Sequence, residues 1–357
     1  MIVSRCIATV LFAFALVSVA CGRPAATPTA ASSAATQIRL VAVDVFDTDT
    51  STIERVIQRH GKALHAMLQR GDAADADQLA AEIMADGEYA YVKPALVTYY
   101  EKQASYLTID IVDRRDAQRR MPFRTPPQGS HGDPGGLIVA WHAYEAKVFD
   151  LLGRGQLLPP PKTCPTFHCF GDPSQPELRP FSVALTSAAD HLDELALVLR
   201  DNEDSGDRAA AAFLLAYVND GNAVVGHLLP ALHDESSLVR NNALRVLAEI
   251  ALHHPEIEIP LPPIVEALSF PATTDRNKAA AILLRMLERP DGARLRRPIA
   301  RTCGGVLLIM LGLFQPNNHD YAYMILKAIS GKQYGERDYA AWRAWMGRVT
   351  KDEPTAH

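Results

Sequence analysis

Three stretches of the C-terminal half align with one another without gaps. They are Arg208-Ala-Ala-Ala-Ala-Phe-Leu-Leu215, Arg240-Asn-Asn-Ala-Leu-Arg-Val-Leu247 and Arg276-Asn-Lys-Ala-Ala-Ala-Ile-Leu283, spaced 32 and 36 residues apart. Each has Ala three residues after the arginine, an aliphatic residue six after it and Leu seven after it, the spacing of one helix face. An apolar run that predicts a further helix precedes each arginine: Leu195 to Leu199, Leu228 to Leu232 and Ile264 to Leu268. Polar turns separate the paired helices, at Asp201 to Gly206, Asp234 to Ser237 and Pro271 to Thr274. A unit of this size cannot bury its own apolar face. The repeat therefore constrains the fold more than any other feature, because its units must stack into a helical array.

The segment Asp234-Glu-Ser-Ser-Leu-Val-Arg-Asn-Asn-Ala-Leu244 resembles the HEAT-repeat family, including its short bacterial lyase-like variants, in which an acidic turn leads into V-R-x-x-A. Looser copies stand at Asp204 to Ala211 and Thr274 to Ala279, where Asp275 replaces the family's Val and Lys278 adds charge. The resemblance covers about residues 182 to 330 and implies an α-solenoid, extended by the last helices over 182–349. Two readings are open for Arg208, Arg240, Asn241, Asn242, Arg276, Asn277 and Lys278. In one, each arginine pairs with an acid of its own or a neighbouring turn and the asparagines bridge backbone groups, so that unit stacks on unit. In the other, these residues form a polar ridge at successive helix starts that receives carboxylates or phosphates. Beyond the repeats, Arg294, Arg296, Arg297 and Arg301 read as a solvated face, and Trp342 and Trp345 as the cover of the array's exposed end.

The chain opens with an address. Arg5 precedes an apolar run from Ile7 to Val19, too short to span a bilayer, and small residues at Ser18 and Ala20 suit cleavage before Cys21, as in a signal peptide over 1–20. The placement resembles a bacterial lipobox, which implies lipidation of Cys21 and, by the sorting rule for Gly22, an outer-membrane lipoprotein facing the periplasm. Ser18 stands where lipoboxes usually carry Leu, so secretion or a soluble periplasmic protein is the alternative. Residues 21–37 are rich in Pro, Ala, Ser and Thr, the composition of a disordered tether.

Of five cysteines, Cys6 belongs to the signal and Cys21 to the anchor. Export favours a disulfide between Cys164 and Cys169 inside the Pro-rich connector 159–181, and closing so small a loop contributes roughly 2 kcal/mol. The alternative is a metal held by Cys164, His168 and Cys169, but the spacing is not that of a zinc motif and no second pair exists. Cys303 precedes an apolar run and reads as a core residue.

The N-terminal part, 38–158, reads as an α+β module ending in a helix. Arg39 to Phe46 and Tyr106 to Val112 alternate as strands, and Ser51 to Arg70 and Gln78 to Ala85 read as helices. That order of elements, and nothing more specific, resembles the POTRA domains of secretion machinery. After a Pro/Gly loop, Leu137 to Leu152 is the closing helix. His131 with Asp133, His142 with Glu145, and Asp110 with Asp113 are the constellations available for chemistry, and none has the spacing of a catalytic motif.

Lys and Arg number 36 against 41 Asp and Glu, so no basic field exists to hold nucleic acid. The fold expected is mostly α, a HEAT-like solenoid with a smaller N-terminal α+β module. The function expected is non-catalytic protein binding in the cell envelope, with an envelope protein or peptide as partner, the membrane met through the lipid anchor alone, and no cofactor, metal or enzyme activity. The alternatives are an envelope hydrolase or metal-dependent enzyme centred on residues 100–170, and a structural envelope spacer.

Overall fold

The computed structural model describes residues 38–162 and 164–351. The signal peptide, Cys21 and the 21–37 tether lie outside the described residues. The described chain is mostly helical, with one small sheet, and divides into two compact units.

The first unit comprises residues up to Asp113 together with Leu313–Gln315. Its elements are β1 (Arg39–Phe46), α1 (Thr50–Arg70), α2 (Ala76–Ala85), β2 (Tyr89–Tyr99) and β3 (Ala104–Asp113). β3 lies between its neighbours, parallel to β1 and antiparallel to β2. A parallel pair cannot be closed by a tight turn, so the run from α1 through β2 supplies the crossover. Asp49 starts α1 by accepting the Ser51 N–H at 2.9 Å. Gly71 ends it at φ 77°, a left-handed conformation that suits glycine. Val56, Leu64 and Met67 of α1 and Leu79 and Ile83 of α2 pack on Leu40, Leu107, Ile109 and Ile111 of the sheet. The Asp44 carboxylate accepts the N–H groups of Phe314 at 2.9 Å and Gln315 at 3.0 Å.

The sequence expectation misses β2. Pro94 and Lys93 break its alternation, and proline, lacking an N–H, is tolerated here because β2 is an edge strand.

The second unit holds α3 (Ala117–Arg120), α4 (Leu137–Gly153), α5 (Arg179–Leu185), α6 (Leu192–Asp201), α7 (Ser205–Leu214), α8 (Gly221–Ala231) and α9 (Ser237–His253). It continues through α10 (Leu261–Ala267), α11 (Thr273–Glu288), α12 (Arg296–Gly312), α13 (Pro316–Ser330) and α14 (Tyr339–Lys351). The helices α7, α9, α11 and α13 pack side by side, and α6, α8, α10 and α12 each pair with the helix that follows. Asp204 and Asp220 start α7 and α8 by accepting two N–H groups each. Trp342 of α14 is buried, with its indole N–H donating to Gly335 O at 2.9 Å, and α14 packs on α12.

The boundary between units falls after Asp113 and not at 158. α4 was expected to close the first module, yet its face of Ile138, Trp141, Tyr144 and Val148 packs on α5 and α7. Trp141 stacks on Phe213 at 4.8 Å. That apolar face is satisfied only by helices far downstream in sequence, which no local pattern announces. No helix among the described residues is long and apolar enough to cross a membrane.

Candidate functional site

The repeat arginines face the turns. Arg208 is fully buried and grips Asp234 of the next turn with two hydrogen bonds of 2.9 Å. It reaches Glu235 at 2.7 Å and holds its own turn through Asn202 O at 2.8 Å and Glu203 O at 3.1 Å. Arg240 repeats the pattern one unit on, donating to Asp275 at 2.8 Å and to Asp234 O and Glu235 O at 2.8 and 3.0 Å. Arg276 is buried and donates to Phe270 O, Pro271 O and Thr273 Oγ1. Asn242 ties α9 to α7 through Ala209 O at 3.0 Å, Asn241 donates to Asn242 at 3.1 Å, and Asn277 is buried in α11. Between them these contacts link each turn to the next, and they leave the three guanidinium groups no face toward solvent.

The two acids of this ladder differ. Burial alone would raise Asp234, but hydrogen bonds from Arg208, Arg124 and the Ser236 N–H outweigh it and hold the carboxyl below its ordinary range. Asp275 receives only the Arg240 Nε–H, its other oxygen has no hydrogen-bond donor, and burial pushes its carboxyl up.

An extended strap after α3 covers the turns. Arg120 donates to Ser269 O at 3.0 Å, and the Phe123 ring lies 3.8 Å from the Arg240 guanidinium and edge-on to Phe270. The Arg124 N–H donates to His233 O at 2.8 Å, and its side chain reaches Leu199 O, Arg200 O and the Asp234 carboxylate. Gly129 then pairs with the first turn, donating to Asp201 O at 3.0 Å and accepting from Glu203 N at 2.7 Å. Of the ridge in the sequence reading, Arg208, Arg240 and Arg276 are buried among their turns, with the strap's Phe123 over Arg240, while Asn241 and Lys278 remain partly exposed.

A different surface stays open. α7 is buried from Arg208 through its end, while the middles of α9 and α11 are buried except for a narrow polar stripe. On α9 the stripe is Asn241, Arg245 and Glu249, four residues apart, and on α11 it is Thr274, Lys278 and Arg285. α4 borders it with Glu145 and the half-exposed Phe149. Arg245 has no hydrogen bond or ion pair among the described residues, and its guanidinium carbon lies 5.8 Å from the Phe170 ring centroid. Glu145 is likewise without a hydrogen-bond or ion-pair partner. Lys278 reaches only Thr274 O, at 3.5 Å.

These groups are partly buried. Burial lowers Arg245 against the pull of Glu145 and Glu249, and it raises both glutamates against that of Arg245. Lys278 is pulled down to about 7, first by burial and then by the neighbouring Arg245 charge. Asn241 and Lys278 were singled out in sequence; Arg245, Glu249 and Arg285 were not. The signal available was polar residues at every fourth position, Asn241, Arg245 and Glu249, in the predicted helix.

Cys164 and Cys169 form a disulfide, Cα to Cα 5.8 Å, so their sulfurs are not free to ligate a metal. His168 between them packs on Phe213 at 4.9 Å and is pulled down to about 3 by burial, then by Arg245 and Lys278. The Tyr144 hydroxyl donates to Phe170 O at 2.6 Å and fixes Phe170 at the edge of the stripe. On its other side the clip walls a cavity of about 570 Å³ with Asp220, His254 and Glu256.

The paired groups of the N-terminal half separate. His131 meets Asp201 at 3.0 Å, Asp133 caps α4 through the N–H groups of Ile138 and Val139, and His142 meets Asp207 at 3.2 Å. Asp113 pairs with Arg55 at 3.0 Å, and Asp110 is buried in β3. Cys303 is buried, its thiol pushed up to about 12. Among the described residues no group of three or more His, Cys, Asp or Glu is placed to hold a metal ion. No family model matches the chain, and no curated protein matches it.

Proposed function

We propose that the protein is a non-catalytic protein-binding scaffold of the bacterial cell envelope, a HEAT-like α-solenoid exported and held by lipid on Cys21. The observation that carries the reading is the stripe on α9 and α11, where the partly exposed Arg245 and Glu145 have no hydrogen-bond or ion-pair partner among the described residues. Such groups are free to pair with a partner without breaking a contact of the fold. A polypeptide laid along the stripe supplies both donors and acceptors. The Cys164–Cys169 disulfide accords with an oxidising compartment.

The test is photo-crosslinking in intact cells from Asn241, on the stripe, and from Leu238, exposed at the start of the same helix. A discrete protein adduct from Asn241 and none from Leu238 is the expected result. Equal labelling from both positions, or none from either, counts against a binding scaffold and favours an envelope spacer. The cluster of shifted groups around Lys278 favours a second reading, an envelope hydrolase in which the neutral lysine amine acts as a general base. Hydrolysis of a chromogenic ester panel by the purified protein, abolished in Lys278→Met, would establish that reading instead.

A further inference from the structure

Charge is unevenly divided along the chain: residues 292–357 carry ten Lys and Arg against five Asp and Glu, whereas residues 1–291 carry 26 against 36. The surplus gathers on two packed helices. Neither α12 nor α14 contains an acid, yet Arg296, Arg297 and Arg301 of α12 and Arg343 and Arg348 of α14 are all exposed. The two helices meet closely at Gly304, where a Cβ would collide with Met346, and Arg301 and Arg343 each stand three residues before that contact. Other exposed arginines of the unit, such as Arg119 and Arg294, meet an acid within one turn, Asp116 at 2.9 Å and Asp291 at 2.8 Å. Arg296, Arg343 and Arg348 have no hydrogen-bond or ion-pair partner among the described residues. Beyond Arg301 the open side of α12 turns apolar, with Val306, Leu308 and Ile309 half-buried beside the exposed Gly305 and Gly312.

We propose that this surface of α12 and α14 is a docking face for the anionic phospholipid surface of a bilayer. Like charges crowded on one face repel one another, and a negatively charged plane relieves all of them at once. Guanidinium groups suit phosphate headgroups because their donors pair bidentately with phosphate oxygens. The aliphatic residues beside them favour lipid over nucleic acid, whose bases and backbone call for stacking and polar groups, whereas a surface that lies on a membrane joins a basic zone to an apolar one. This rests on the envelope reading, which puts the protein beside such a surface, and it adds a membrane contact besides the acyl chain on Cys21. A basic face and an acyl chain reinforce each other, each lowering what the other must supply for stable anchoring. The arginines that the sequence reading took for a solvated face are then the lipid-facing side of the second unit.

The experiment takes the mature protein carrying Cys21→Ser, in which no acyl chain contributes, and measures its co-flotation with vesicles of phosphatidylglycerol mixed into phosphatidylcholine and with vesicles of phosphatidylcholine alone. Binding at least tenfold tighter to the anionic vesicles is expected. It should weaken as salt rises, because the screening length falls from about 10 Å at ~0.1 M to about 3 Å at ~1 M. The triple variant R296Q/R343Q/R348Q should lose at least tenfold in affinity with unchanged melting. Removing the same number of charges at the exposed Arg154, Arg179 and Arg200 should change affinity less than about threefold. Equal binding to both kinds of vesicle, no binding to the anionic ones, equal losses in the two triple variants, or tighter binding to duplex DNA at equal phosphate would overturn the docking face. The Asn241 crosslink reads the scaffold separately: flotation without the crosslink supports the face and removes the scaffold, whereas a crosslink without flotation does the reverse.

Discussion

Arg240 and Arg245 lie five residues apart on α9 and are used in opposite ways. Arg240 is buried, stacked on Phe123 and donates to Asp275 and two turn carbonyls. Arg245, on the stripe, donates to nothing among the described residues. A helix advances 100° per residue, so five residues carry a side chain more than a third of the way round the axis from where it began. One arginine meets the acidic turn and the other the open face. What separates architecture from a candidate binding group is therefore the tally of satisfied donors, not residue type or burial alone.

Breaking the architectural side should have the largest effect. Arg208→Ala leaves Asp234 buried beside a void and should cost about 3–5 kcal/mol in urea unfolding. A value under about 1 kcal/mol would show that the ladder does not hold the turns together. The two acids sharpen the point. Asp234→Asn disturbs a carboxylate held by Arg208, Arg124 and the Ser236 N–H, and should cost about 2 kcal/mol more than Asp275→Asn, which neutralises a group that burial already disfavours as an anion.

The strap comes next. A Cβ on Gly129 would lie 2.6 Å from Asp201 O and 2.5 Å from its carboxylate, so Gly129→Ala should cost about 1–3 kcal/mol by overpacking, read from the shift in the urea midpoint. An unmoved midpoint would mean that the strap is not seated on the first turn.

Acid should weaken the fold in two stages. His168 titrates at about 3 when folded and near 6.5 unfolded, so the unfolded chain takes up the proton first and stability falls as pH drops from about 6.5 toward 3. Asp234, lowered in the fold, contributes fully above about pH 4 and is lost as pH falls through its folded value. Thermal melting from pH 7 to 3 checks the slope, and in His168→Leu the upper stage should vanish while the lower one stays. The smallest effect on stability is expected at the stripe, where Arg245→Gln should stay within about 0.5 kcal/mol of the parent.

The helical repeats were legible because their apolar spacing is local: the arginine and the alanine three on fall on α7, α9 and α11, and the leucine seven on falls on α9 and α11 and directly after α7. Elements that depend on distant partners were not. β2 hides behind Pro94 and is recognisable only once β3 lies beside it. α4 carries an ordinary amphipathic pattern, and nothing in it says that Trp141 will stack on Phe213. The strap has no period at all; its meaning lies in carbonyls more than 70 residues away at the end of α6, such as those of Leu199 and Asp201. The candidate site was half legible. Asn241 and Lys278 stood out by their place beside the repeat arginines, while Arg245 and Glu249 needed the fold to show which helix face remained uncovered.

The most direct measurement sets Arg240→Gln beside Arg245→Gln, reading urea unfolding of the purified proteins and the yield of the Asn241 crosslink in cells on both. The expected result is a crossing of effects. Arg240→Gln should lose about 3 kcal/mol of stability and keep the crosslink of its folded fraction, whereas Arg245→Gln should keep its stability and lose at least tenfold in crosslink yield. Loss of stability in both, or an unchanged crosslink in Arg245→Gln, would contradict the division of α9 into an architectural and a binding face.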